Sequence, residues 1–222
     1  MLMRALIGAS SNPRSLEFVA SSYYTSATAI SAVTFSSVSI GAEALTRIII
    51  VGVYAGAAAS RTITSITANG VAMTLLAKID NDLTVGGFYY LSIPAGTTAN
   101  FVATFSGTVS PAALVVYQVV NWNSMSLLDS SAAYGTAAAR NATVNTSQNG
   151  AVIVLGANFT GGSSSTGAVT NLNAEDANIA LRTTTRFIAG NSFGVSGGTL
   201  TPGITYSRSA TVNSPLVIVS LS

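Results

Sequence analysis

Residues 61–78 read RTITSITANGVAMTLLAK. Across 62–68 threonine alternates with Ile63 and, nearby, Ile66, and a second run follows over 71–78. Asn69-Gly70 separates the two runs. An Asn-Gly pair accepts two successive positive φ values at little steric cost, which is what the tight turns between twisted antiparallel strands require. The stretch predicts a β-hairpin, and it sets a period-two reading for the rest of the chain.

Downstream, Phe88, Tyr89, Tyr90, Leu91 and Ile93 form an apolar strand stopped by Pro94-Ala95-Gly96. Proline cannot donate to a central ladder, and glycine relaxes the turn. Ala99, Phe101, Ala103 and Phe105 then share one face while Asn100, Val102 and Thr104 share the other, the pattern of a half-buried antiparallel strand. Ser110-Pro111 introduces a strong strand over 113–120. Upstream, 47–54 is almost continuously apolar, which predicts a strand buried on both sides or at an interface, and Val33 and Phe35 alternate in a short first strand. Residues 123–149 are turn-rich, with 139–146 able to pair at an edge. Strand signals return over 151–158, 168–172, 178–184, 203–210 and 216–221. No sustained 3.6-residue stripe marks a helix. The reading is an all-β protein, an antiparallel β-sandwich of jelly-roll type, spanning 29–222 as one domain. Residues 1–28, poor in large apolar groups, read as an N-terminal arm whose candidate docking contacts are Arg4, Leu6, Ile7, Leu16 and Phe18. No polar linker divides the chain, which favours one sandwich over two stacked ones.

A faint repeat runs through the sequence. Ile49-Ile50-Val51-Gly52 resembles Ile153-Val154-Leu155-Gly156, and Ser110-Pro111 resembles Ser214-Pro215; Gly52 to Gly156 and Pro111 to Pro215 share a spacing of about 104 residues. Two half-sandwiches of similar strand order explain this, and so does convergence among low-complexity β sequences.

The chemistry-bearing residues are few. The 222 residues include no histidine and no cysteine, and charged side chains make up 7 % of the chain against 49 % hydrophobic; about 25 % charge is usual for a soluble domain. Thiolate nucleophiles, disulfides and cysteine-based zinc sites are excluded. Serine has no histidine as a base, and the single lysine is Lys78. The carboxylates Asp80, Asp82, Glu175 and Asp176 fall in predicted solvated loops, and Asp80-Asn81-Asp82 lacks the glycine and distal glutamate of a calcium loop. A glycosidase would need two carboxyl groups facing each other across a cleft. Scattered arginines and a net charge of +2 form no phosphate track, so no nucleic-acid partner is expected. The apolar runs are too short for a signal peptide or a membrane span, and membrane insertion is not expected either. No cofactor and no metal are expected, and no enzymatic activity. Low surface charge favours self-association. Among the aromatics, Trp122 and Tyr134 are the candidate receptor or glycan contacts, and for Trp122 packing over a sandwich end is favoured over that role.

The segments 45–51, 61–75, Phe88-Tyr89-Tyr90, Pro94-Ala95-Gly96 and the alternating 101–109, together spanning roughly 31–120, resemble a diffuse group of β-rich virion structural proteins of tailed bacteriophages. The resemblance implies capsid decoration, a head fibre or a tail-associated protein on the outer surface of the virion. It also implies assembly as a homotrimer against the major capsid protein or other virion proteins, or contact with a host-surface glycan or receptor. It transfers no catalytic residue.

Overall fold

A computed structural model describes residues 13–81, 83–122, 125–159, 165–210 and 214–222, and all of its regular structure is antiparallel β. The first half contains β1 (Ser15–Tyr24), β2 (Ile30–Ser39), β3 (Ile48–Gly56), β4 (Ile63–Ala68), β5 (Val71–Ala72), β6 (Thr74–Asn81), β7 (Thr84–Ser92), β8 (Thr98–Val109) and β9 (Ala112–Val120). The second contains β10 (Leu127–Gly135), β11 (Ala139–Asn141), β12 (Val144–Thr146), β13 (Gly150–Phe159), β14 (Gly167–Thr170), β15 (Ala174–Arg182), β16 (Thr185–Val195), β17 (Gly198–Leu200), β18 (Gly203–Tyr206) and β19 (Ser214–Leu221). The hairpin expected at Asn69-Gly70 is present: both residues have positive φ, and β4 pairs with the two-residue β5.

The sheets are stacked in four layers. An inner sheet of order β1-β9-β3-β7-β6 faces an outer sheet β2-β8-β4-β5, with Val33, Phe35, Val51, Val53, Phe101, Phe105 and Leu114 buried between them. A second inner sheet of order β10-β19-β13-β16-β15 faces two narrow outer sheets, β11-β18-β14 and β12-β17, around Val152, Val154, Ile188, Ile204, Leu216 and Ile218. The two inner sheets pack on each other through Ile50, Tyr54, Phe88, Val115, Tyr117, Ile153, Leu155, Phe187, Val217 and Val219. Strands β3, β9, β13 and β19 therefore have apolar neighbours on both faces, which is why they read as continuous apolar runs rather than alternating ones.

The fold is the all-β antiparallel sandwich architecture expected, and its described strands are arranged as two sheet pairs. The join between halves, Asn121 to Ser126, includes the buried Trp122, and a shared apolar face needs no polar linker. Part of the segment expected to be an arm, residues 1–28, is regular structure. From Ser15 the chain is the edge strand β1, paired with β9, and Leu16 and Phe18 pack against the core between the inner sheets. Arg4, Leu6 and Ile7 lie outside the described residues.

The two inner sheets have the same strand order in chain sequence, so β1, β9, β3, β7 and β6 correspond to β10, β19, β13, β16 and β15. Their contacts are reciprocal as well: β1 lies against β15 while β6 lies against β10, and β3 lies against β13. That reciprocity is the signature of an approximate two-fold axis, as in an isologous dimer interface.

The repeat seen in the sequence divides on inspection. If Pro111 is level with Pro215, Val115 is level with Val219; yet Val115 pairs with Gly52 and Val219 pairs with Ile153. Gly156 pairs with Leu216, level with Ala112, whose partner is Ala55. The Ser-Pro pairs thus mark equivalent strand starts, while the two glycines are out of register and face different layers. A Cβ on Gly52 would stand 2.7 Å from Leu155 in the opposite inner sheet; one on Gly156 would stand 2.7 Å from Ile204 in its own outer layer.

Candidate functional site

Glu43, Asp80, Asp129, Glu175 and Asp176 are tied into the fold, and Asp82 lies outside the described residues. Asp80 lies on β6 and Glu175 and Asp176 on β15, not in the solvated loops expected of them. Asp80 accepts the Ile63 amide and is ion-paired with Lys78, whose Nζ also donates to the Ile63 carbonyl. Glu43 accepts the Gly96 amide, Asp129 the Ser130 and Asn145 amides, and Glu175 the Val169 amide. Asp129 is held below the usual carboxylate range, most strongly by the Asn145 amide. Asp176 lies between the inner sheets, accepting the Tyr117 hydroxyl at 2.8 Å and the Asn191 carboxamide at 2.8 Å. Burial pushes the Asp176 carboxyl up, and burial beside that carboxylate pushes the Tyr117 phenol up. Among the described residues, no group of three or more metal-ligating side chains converges.

Two guanidinium groups serve as buried clamps. Arg47, fully buried, donates to six backbone carbonyls: Ile93, Ile40, Gly41, Ala42, Ala95 and Gly96. Five fixed N–H donors in a planar fork suit such a cage, where a lysine ammonium would reach half of it. The clamp fastens the loop before β3 to the Pro94-Ala95-Gly96 turn. In the second half Arg140 donates to the Gly135 and Ala157 carbonyls and to the Asn158 side chain, with its guanidinium 5.1 Å from the Tyr206 ring centroid.

Of the two aromatic candidates, Trp122 takes the packed position over the sandwich end and Tyr134 a half-buried one. Trp122 is 2 % exposed and packs over the end of the core, so it presents no ring to a receptor. Its Nε1 has no hydrogen-bond partner among the described residues. Phe193 meets it edge-on at 6.0 Å, and the Arg14 guanidinium covers it at 5.3 Å. Tyr134 is half-buried, and its hydroxyl donates to the Thr84 carbonyl at 3.2 Å, a strut from β10 to β7 across the two halves.

What the fold leaves open is two broad neutral faces. On the first outer sheet Thr34, Val102 and Thr67 lie side by side, with Ala32, Thr104 and Ser65 in the next rank. On the other side of the stack Ala139, Thr205 and Ala168 form a rank, and Asn145 lies beside Thr199. The strands of these outer sheets carry one charged residue, Arg140, and it points inward and is buried. The other described charges sit on inner-sheet strands and loops; of these, Asp129 reaches Asn145 at the margin of the second face and Arg61 reaches Thr108 at the end of the first. Sequence reading gave the alternation of these strands but not the sorting of charge, because that depends on which strands end up as inner layers.

The fold and these faces define a class: a tandem of two antiparallel β-sandwiches locked into one four-layer body, with its polar chemistry engaged in holding backbone. No protein-family model matches the chain, and no curated protein matches it at a significant level.

Proposed function

We propose that the chain is a non-enzymatic structural protein of a tailed-bacteriophage virion, a capsid decoration protein that docks on the shell through one outer face and reinforces it. Each half is read as a jelly roll, a reading supported by β1-β9-β3-β7 facing β2-β8-β4-β5, the order that one long folded-over hairpin produces. The observation that carries the functional reading is the pair of Thr/Ser/Asn/Ala faces, whose own strands expose no charged side chain and which meet charge only at their margins, where Asp129 reaches Asn145 and Arg61 reaches Thr108. Interface cores are depleted of charged residues because desolvating a charge is costly, and such a face docks without that cost. The four-layer core supports the reinforcing role, since the central inner strands β3, β9, β13 and β19 are held from both sides. The sequence resemblance supports the virion setting, the major capsid protein as partner and a homotrimer as the assembled form. A tail or head-fibre position, with a surface glycan as partner, is the second reading; a cleft lined by Arg14, Gln148, Asn149, Phe193 and Gly194, where the two halves meet, favours it.

The test is occupancy of purified particles by face variants. Thr34→Lys with Thr104→Glu charges one outer face, and Ala168→Lys with Thr205→Glu charges the other. One pair is expected to lower copies per particle by about tenfold or more while thermal stability stays within about 0.5 kcal/mol, as for ordinary surface changes. Unchanged occupancy for both pairs contradicts face docking. Deleting residues 1–12, which leaves β1 intact, measures any share carried by Arg4, Leu6 and Ile7.

A further inference from the structure

The seam between the two halves holds a cleft of about 440 Å3 lined by Arg14, Gln148, Asn149, Phe193 and Gly194. Three separate parts of the chain build it. Arg14 precedes β1, and its position is set by Asn121, whose carboxamide donates to the Pro13 carbonyl at 3.1 Å. Gln148 and Asn149 are exposed at the turn before β13, where Asn149 has a φ of 59° and its amide donates to the Val195 carbonyl at 2.9 Å. Phe193 and Gly194 come from β16, and a Cβ on Gly194 would meet nothing within 4 Å, so that lip is open.

The chemistry at the cleft differs from the clamps elsewhere. The guanidinium groups of Arg47 and Arg140 are buried on protein acceptors, whereas Arg14 is exposed, with its guanidinium carbon over the Trp122 indole at 5.3 Å from the ring centroid. The cation–π contact holds the guanidinium at the cleft, where its exposure leaves N–H donors within reach of a ligand. A planar fork matches a carboxylate through two parallel hydrogen bonds. Gln148 and Asn149 each add a carboxamide that both donates and accepts, as adjacent hydroxyl groups require. Phe193, half-buried, gives the floor an apolar surface. We propose that this cleft binds a carboxylate-bearing sugar, of uronic or sialic acid type, with the carboxylate on Arg14, the hydroxyls on Gln148 and Asn149 and the ring over Phe193. The proposal does not depend on docking to a shell.

Calorimetric titration of the full chain tests it, with glucuronate, galacturonate and N-acetylneuraminate as probes and glucose and galactose as neutral counterparts. At least one acid is expected to bind saturably in the low-millimolar range, with neutral sugars about tenfold weaker or more. Arg14→Gln removes that preference, and Gln148→Ala, remote from the indole stack, weakens the acid at unchanged thermal stability. Three results overturn the proposal: no acid binds, acid and neutral sugar bind alike, or both variants bind the acid as the unsubstituted chain does.

Discussion

The two halves share an inner sheet and differ in the outer one. In the first half β2 and β8 run 10 and 12 residues and build one continuous outer sheet. In the second half the corresponding positions are divided into β11 and β12, and into β17 and β18, each of three or four residues. Pro202 sits at the break between β17 and β18. Without an amide proton it cannot continue a ladder, although its carbonyl still accepts the Ala142 amide at 3.3 Å. The inner sheets had no such latitude, since each of their central strands is covered by a layer on either side. The comparison teaches that doubly buried layers keep topology while the singly buried layer can be cut, shortened and re-paired.

The clamps follow the same division, and comparing them is the largest test of it. Arg47→Met leaves six carbonyls without their donor, and Arg140→Met leaves three acceptors. Buried acceptors left unpaired cost about 1–3 kcal/mol each before relaxation and water entry. The expected loss in chemical denaturation is about 3 kcal/mol or more for Arg47→Met and about 2 kcal/mol for Arg140→Met. Equal losses would break the distinction between the halves.

A smaller effect concerns pH and the polar contact between the inner sheets. Asp176 has a folded pKa raised above its unfolded value, so in that interval the folded state holds more protons than the unfolded one. Stability contributed by this group therefore falls as pH rises from the ordinary carboxylate value through the raised one, and above it the ionised form is a constant burden. Asp176→Asn removes this titration while leaving an oxygen to accept the Tyr117 hydroxyl. The variant should show a flatter, less negative stability slope over that interval, read from denaturation midpoints at a series of pH values. An unchanged slope would mean that another group titrates there.

Much of the fold is legible in the sequence. The Asn69-Gly70 turn, the stop at Pro94-Ala95-Gly96 and the doubly apolar character of 47–54 all appear where local chemistry put them. Strand β1 was not legible, because a bulge between Phe18 and Ala20 breaks its alternation, and β10 was not, because Ser130 to Ala133 are small. The four-layer stack was hidden for a related reason: apolar content announces burial but not which sheet supplies the cover. At the sites, the Arg47 cage is made of carbonyls, which every residue carries, so its acceptors leave no mark in the sequence. Trp122 was singled out from its type, yet its burial depends on Arg14 and Phe193, far away along the chain.

The central claim is that the two sandwiches are locked face to face, with Leu155 inserted where Gly52 and Gly86 leave room; Cβ atoms there would stand 2.7 and 3.0 Å from its methyl groups. A double-mutant cycle on Gly52→Ala and Leu155→Ala, read by chemical denaturation, tests it most directly. Alone, Gly52→Ala overpacks the contact at about 1–3 kcal/mol and Leu155→Ala opens a cavity at about 2–5 kcal/mol. Together they should lose less than the sum by about 1 kcal/mol or more, because the added methyl occupies space that the leucine vacates. Strict additivity would contradict the face-to-face packing of the two halves.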